Sequence, residues 1–329
     1  MNILAESHIP CLRGLLEPHA CVEYRDVITA SDVREADVLL VRTRTHCDAA
    51  LLRGSRVRFI GTATIGTDHI DLDYCRQHGI EVVNAPGCNA PAVAQWVLAA
   101  IGQWMAARGI ARPDALTLAV VGVGHVGSIV ARWARQLGFR VLACDPPRAE
   151  REGANGFATM EQVAAQADII TFHTPLTRSG RWPTWHLCDT ALLHTLRHCR
   201  LLLNAARGAV CDTEALLRWP GDLAIDCWEG EPHISQPLLE RSFVATPHIA
   251  GYSLQGKQRG TAMVVEALGT RFGWDLQPVQ ASTPLLGADH VTLPGILDTY
   301  NPLADTATLR QNPDRFEQLR NTYPLRNEV

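Results

Sequence analysis

The sequence predicts an α/β protein built of two doubly wound parallel sheets, and three observations carry that expectation. Apolar runs of strand length alternate with helix-type segments along most of the chain. The runs lack in/out alternation, as in strands covered by helices on both faces. A Gly-x-Gly-x-x-Gly turn separates one such run from the helix-type segment after it. In the first half, Ile3-Leu4, Asp37–Val41, Val57–Ile60 and Ile80–Val83 read as strands, a βαβ rhythm complete in itself. In the second, Thr117–Val121, Arg140–Asp145, Asp168–Phe172, Leu201–Asn204, Leu223–Asp226 and Phe243–Ala245 suggest another open sheet.

Two longer helices are expected to join the units. One runs from about Pro91 to Arg108, with Pro91 suited to a first helical turn. The other covers Leu254–Phe272, where Met263, Val264, Ala267 and Leu268 share a face. The expected domains are therefore a discontinuous substrate-binding unit of residues 1–91 and 252–275, a Rossmann-type unit of residues 92–251, and a short irregular appendage of residues 276–329. In that last stretch Pro278, Pro284, Pro294, Pro302, Pro313 and Pro324 interrupt short apolar pieces.

Composition sets the broad class. At 329 residues the chain exceeds the size at which one core keeps growing. A net charge of −4 leaves no excess of Lys and Arg for a phosphate backbone, so nucleic acid is not an expected partner. Ten cysteines at irregular gaps, without a CxxC pair, argue against disulfides; no metal is expected, and a reducing cytoplasm fits. Met1–Glu6 shows no secretory signal, and Ala92–Ala107, broken by Gln95 and Gln103, is too short and polar to span a bilayer.

The glycine turn is Gly122-Val123-Gly124-His125-Val126-Gly127, after the run Thr117–Val121 and before a helix expected over Ile129–Leu137. Glycines allow the tight turn, admit a pyrophosphate to the backbone and let helix and strand touch. That context predicts a dinucleotide. Asp145, 18 residues beyond Gly127, stands where a carboxylate accepts ribose hydroxyls and repels a 2′-phosphate, which favours NAD over NADP. Arg148 argues the other way, and an Asp before Pro146-Pro147 also suits a simple turn.

Ligands of open α/β sheets sit beyond the carboxyl ends of strands, and Arg207, Asp226, Glu231 and His248 all follow strand-type runs. Hydride transfer from a 2-hydroxy acid needs such a set: an Arg for the carboxylate and keto oxygen, and a His, steadied by a carboxylate, to accept the hydroxyl proton. Any one of these residues alone reads as well as a solvated side chain. His173, His186, His198 and His290 are expected to be structural or superficial, with His173 able to line the cofactor cleft.

Several segments resemble the D-2-hydroxyacid dehydrogenases: Gly61–His69, Ala85–Ala90, Cys144–Arg148, Thr171–Leu176, Asp226–Pro232 and His248–Tyr252. The resemblance runs from Met1 to about Glu266. It implies that Arg207, Glu231 and His248 are catalytic, with His248 the proton donor in reduction. It implies cofactor contacts at Asp145, Thr174, Ala205, Ala206, Arg207, Asp226 and Gly251, besides Gly122, Gly124, His125, Val126 and Gly127, and substrate contacts at Thr43, Thr64 and Tyr252. Thr43 stands where the family usually has Ser and keeps the hydroxyl; Arg42 and Arg44 are candidate additions to a phosphate pocket. The first three segments are closest to members that oxidise 4-phospho-D-erythronate to its 2-oxo acid in pyridoxal phosphate (vitamin B6) biosynthesis. Other members, acting on phosphoglycerate or on glyoxylate and hydroxypyruvate, are the alternative enzyme reading; an NAD-sensing interaction protein is the alternative outside enzymology. The resemblance also implies a homodimer formed through a C-terminal domain, of which this chain has a shortened version.

Overall fold

The structure is a computed structural model that describes residues 1–280, 282–284 and 291–329, so His290 lies outside the described residues. The chain divides into two compact units.

The first unit comprises Met1–Asn89 and Ser253–Thr283. Its sheet is formed by β1 (Asn2–Glu6), β2 (Cys21–Arg25), β3 (Val38–Val41), β4 (Phe59–Thr62) and β5 (Glu81–Val83), in the order β2-β1-β3-β4-β5, every pairing parallel. This is the flavodoxin-type winding. Strand β2 is absent from the sequence reading because Cys-Val-Glu-Tyr-Arg is a polar edge strand, paired only with β1 and never fully buried. The helix Leu254–Phe272 starts where the Ser253 hydroxyl accepts the Gly256 N–H and ends at Gly273, in the left-handed region at φ +68°. Val264 and Leu268 of this helix share a core with Ile3, Val38, Leu40 and Phe59. At Gly61 of β4 a Cβ would lie 2.6 Å from Val264 Cγ1 and 2.9 Å from Leu40 Cδ2, so glycine is what lets the helix close on the strand.

The second unit comprises Ala90–Tyr252 and Pro284–Val329. Its strands are β6 (Thr117–Val121), β7 (Arg140–Cys144), β8 (Ile169–Phe172), β9 (Leu201–Asn204), β10 (Asp222–Ile225) and β11 (Val244–Ala245). They form a parallel sheet in the order β11-β10-β9-β8-β6-β7. The winding reverses between β6 and β8, which opens a crevice at their carboxyl ends. The helix Ala90–Ala107 is buried nearly all round. Its polar atoms are satisfied there: Trp96 Nε1 donates to Thr246 Oγ1 (3.0 Å), Trp104 Nε1 to Asp222 Oδ2 (2.7 Å) and Gln95 Nε2 to Thr299 Oγ1 (2.9 Å). Among the described residues no helix is long and apolar enough to cross a membrane.

The expected irregular appendage is corrected. Residues through Thr283 stay with the first unit, and those from Pro284 belong to the second, where they form helices Leu293–Thr299, Pro302–Gln311 and Phe316–Asn321. Pro294, Pro302 and Pro313 occupy first turns, where the missing N–H has no intrahelical partner to lose, so these prolines start helical segments. Leu309 and Phe316 reach the core of the NAD-binding-type sheet.

Gly61→Ala is expected to lower the unfolding free energy by about 1–3 kcal/mol, because β-branched Val264 has little rotamer freedom to yield. Urea unfolding checks this.

Candidate functional site

The glycine turn in the second unit has the geometry of an anion cradle. Gly122 has φ +88°, and a Cβ there would lie 2.8 Å from the His173 carbonyl carbon and from Thr174 N. A Cβ on Gly127 would lie 2.0 Å from Gly122 O, so only glycine lets the helix His125–Gln136 rest on its own turn. Gly124, by contrast, is exposed and has nothing within 4 Å of its Cβ position. It caps the helix without a side-chain hydrogen bond, and the first turn carries no acidic residue. The N–H groups of the turn containing His125 and Val126 are thus left for an external anion. Beside them, two buried polar atoms, His173 Nδ1 and Thr174 Oγ1, have no hydrogen-bond partner among the described residues. Burial pushes the His173 imidazole far down, so it is neutral. A bound ligand removes the cost of such orphaned atoms.

Asp145 opens a turn, as one sequence reading has it. Its Oδ1 accepts Arg148 N–H (3.0 Å), capping the helix Pro146–Glu152, while Oδ2 accepts Val123 N–H (2.8 Å) and fixes the glycine turn. A carboxylate with two bonds made retains lone pairs for hydroxyl donors. Arg148 is tied to Glu152 (Nη2–Oε2 2.7 Å) and donates to Val123 O (2.5 Å), so its charge is already paired. These residues fit NAD.

The segments after β9, β10 and β11 carry the candidate residues Arg207, Glu231 and His248. At the end of β9, Asn204 Nδ2 donates to Arg207 O (3.0 Å) and Oδ1 accepts Ala206 N–H (3.1 Å), shaping the turn Ala205–Arg207. Next to it, a Cβ on Gly208 would lie 2.0 Å from the Trp228 carbonyl, so the Arg207 turn rests directly on the Trp228–Glu231 turn. Glu231 Oε1 accepts Trp228 N–H (2.6 Å), and Oε2 is 2.7 Å from His248 Nδ1. Burial raises the Glu231 carboxyl, but the His248 charge and hydrogen bond, the Trp228 N–H and the Arg320 charge outweigh it and hold Glu231 below its usual range. A carboxylate only accepts, so Nδ1 carries the hydrogen and Nε2 is left as the acceptor.

His248 itself has φ +55°, a conformation that needs support. Asp226, almost wholly buried, supplies it: its backbone O accepts His248 N–H (2.9 Å), Oδ1 accepts Thr246 Oγ1–H (2.6 Å) and Ile249 N–H (2.8 Å), and Oδ2 accepts Ala250 N–H (3.0 Å). Burial raises the Asp226 carboxyl against the pull of His248 and these donors. The sequence suggested a cofactor contact at Asp226; the structure shows its carboxylate engaged in building the loop that carries His248. Gly251 and Tyr252 continue that loop, with the Tyr252 ring edge-on to Tyr323 at 6.2 Å. His186 pairs with Glu229 at 2.7 Å and His198 is exposed.

In the first unit, Thr64 follows β4, bonded to Thr62 Oγ1 (2.7 Å) and Gly66 O (3.1 Å). Thr43 is exposed between Arg42 and Arg44, just beyond β3. Sequence reasoning passed over Lys257, in the first turn of the helix Leu254–Phe272. Burial, reinforced by Arg42 and Arg44, pushes its amine down to about 7. The signal was present: of the 30 Lys and Arg residues, Lys257 is the one lysine.

Comparison with known proteins agrees. Residues 89–250 match the D-isomer specific 2-hydroxyacid dehydrogenase NAD-binding domain. Erythronate-4-phosphate dehydrogenases of Bacteroides thetaiotaomicron and Marinobacter nauticus are 42% and 40% identical to this chain over its whole length, covering 97% and 93% of their own. Among solved structures, D-lactate dehydrogenase of Aquifex aeolicus, complexed with NAD and lactic acid, aligns with a TM-score of 0.67 at 23% identity, covering 83% of this chain and 96% of its own. The Escherichia coli D-lactate dehydrogenase gives 0.64 at 21%, covering 83% and 98%; both likenesses concern the fold. The chain therefore belongs to the erythronate-4-phosphate dehydrogenase family of NAD-dependent D-2-hydroxyacid dehydrogenases.

Proposed function

We propose that this chain oxidises the C2 hydroxyl of 4-phospho-D-erythronate to the 2-oxo acid, with His248 as the acid–base residue, Glu231 as its partner and Arg207 as the group that binds the carboxylate. The observation that carries the chemistry is the 2.7 Å Glu231–His248 bond at the strand ends of the NAD-binding unit. When bound, NAD accepts the hydride from C2. His248 Nε2 takes the hydroxyl proton, and the Glu231 carboxylate stabilises the imidazolium that results. The Arg207 guanidinium, with its planar array of donors, suits a carboxylate and the developing keto oxygen. An NAD sensor has no use for such a proton-transfer pair.

The names of the relatives support the phosphorylated substrate, and so does the cationic group of the first unit. Lys257, beside Arg42 and Arg44, is poised to hold or lose its proton. A phosphate dianion would favour the charged lysine. The Thr43 and Thr64 hydroxyls and Tyr252 are proposed to complete substrate binding. A cytoplasmic homodimer, as the family resemblance implies, completes the reading.

Purified protein is expected to reduce NAD in the presence of 4-phospho-D-erythronate; turnover confined to unphosphorylated 2-hydroxy acids would sink the assignment. His248→Ala should lower kcat by roughly 10²–10⁴-fold with NADH binding retained, as read by fluorescence titration. The KM for the phosphorylated substrate should rise as pH increases through about 7, because Lys257 is cationic below that value and neutral above it. Lys257→Met should raise KM by about tenfold at pH 6 and flatten this dependence, on the order of one lost charged hydrogen bond.

A further inference from the structure

The C-terminal segment closes on the loop that carries His248. Phe316, at the start of the last helix, is buried in the sheet core, and Tyr300 and Tyr323 both donate to Asp305 (2.8 and 2.9 Å), which ties the segment to itself. Beyond that helix Arg326 is buried, with its guanidinium 4.4 Å from the Tyr300 ring centre. It donates to five oxygens: Gln95 Oε1 (3.2 Å) and the carbonyls of Ala92 (3.0 Å), Ile249 (3.0 Å), Ala250 and Tyr252 (3.3 Å). A buried cation is costly unless its donors are met, and here every N–H of the side chain has an acceptor. Gln95 in turn donates Nε2 to Thr299 Oγ1 (2.9 Å) and Asn327 O (3.1 Å), which anchors the guanidinium on the helix Ala90–Ala107.

Three of those carbonyls belong to the residues just after His248. The same stretch is held from its other side by Asp226, whose carboxylate accepts the N–H groups of Ile249 (2.8 Å) and Ala250 (3.0 Å) and whose backbone O accepts His248 N–H (2.9 Å). Ile249 and Ala250 are therefore gripped at their donors by an anion and at their acceptors by a cation. No other division works, since a carboxylate only accepts and a guanidinium only donates. Buried main chain without regular structure has to find such partners for both kinds of group. His248 stands at the edge of this clamp with φ +55°, a conformation that persists only where its surroundings over-determine it. Asp226 supplies half of that determination, and Arg326 supplies the other half.

We propose that Arg326 is a positioning residue for the proton-transfer step: from the C-terminal segment it holds the carbonyls of residues 249, 250 and 252, and so keeps the His248 imidazole in the direction that meets Glu231. The inference rests on the acid–base reading of His248. It gives the shortened C-terminal region a part in the reaction beyond packing. Arg326 acts through His248, so its loss slows the reaction only while His248 is there to be misplaced.

The test is a double-mutant cycle on kcat for wild type, Arg326→Met, His248→Ala and the double variant, with thermal midpoints measured alongside. Saturating NAD and 4-phospho-D-erythronate remove any change of affinity through Gly251 or Tyr252. Arg326→Met is expected to lower kcat by about 10–100-fold when His248 is present, the cost of a misplaced catalytic group. In the His248→Ala background the same substitution should change kcat by less than about twofold. Arg326→Lys keeps the charge and three donors, so it should recover part of kcat, and it replaces Arg326→Met in the cycle should the latter not fold. An equal fall in both backgrounds, or a lower thermal midpoint with kcat intact, would show a packing role only and overturn the proposal. Failure of the underlying acid–base reading is separately visible, since His248→Ala alone would then keep its kcat.

Discussion

One buried carboxylate organises the chemistry of this protein. Asp226 sits at the end of β10 with almost no exposure, and apart from the Cys227 thiol (3.9 Å) the donors to its carboxylate belong to Thr246–Ala250. A carboxylate in such surroundings is costly unless it is fully bonded, and its bonds go to a loop that otherwise has no regular structure. The loop gains a single conformation, including the left-handed backbone of His248. With His248 fixed, Glu231 can meet it at hydrogen-bond distance; with Glu231 bonded to Trp228 N–H, that partner is fixed as well. The Glu231–His248 pair is thus held by the protein's own hydrogen bonds, the preorganisation that the proposed acid–base role requires.

Close backbone approach is the second constraint. Gly127 on Gly122, and Gly208 on Trp228, are contacts at which even a methyl group would collide with main chain. The first forms the anion cradle and the second sets Arg207 against the Glu231 turn. Both place backbone where side chains ordinarily keep elements apart. The C-terminal segment adds a third layer, since Arg326 gathers carbonyls from the loop after His248.

Much of this was legible in the sequence, for reasons that differ by residue. Core strands such as Thr117–Val121 and Leu201–Asn204 are apolar on both faces, a pattern that few other structures produce. Glycines at 122 and 127 announce their turn because a side chain at either would meet main chain. Edge strand β2 escaped because three of its five positions are exposed. The proline-rich tail was misread because a proline interrupting an apolar run and a proline opening a helix look alike until the fold shows which N–H groups are needed. Lys257 escaped since a lysine on a helix is ordinary until burial and two arginines give it a purpose.

By itself, then, the sequence determined two parallel-sheet units, the dinucleotide turn and the preference for NAD, because each of these follows from local patterning, and it marked Arg207, Glu231 and His248 as candidates by residue type. Tertiary structure decided what depends on long-range proximity. It joined Glu231 to His248 across 17 residues, gave the Asp226 carboxylate a loop to hold, set Lys257 with Arg42 and Arg44, and brought Arg326 to the carbonyls of the loop after His248. Hydrogen bonds and charges act over a few ångströms in space, and separation along the chain carries no record of that distance.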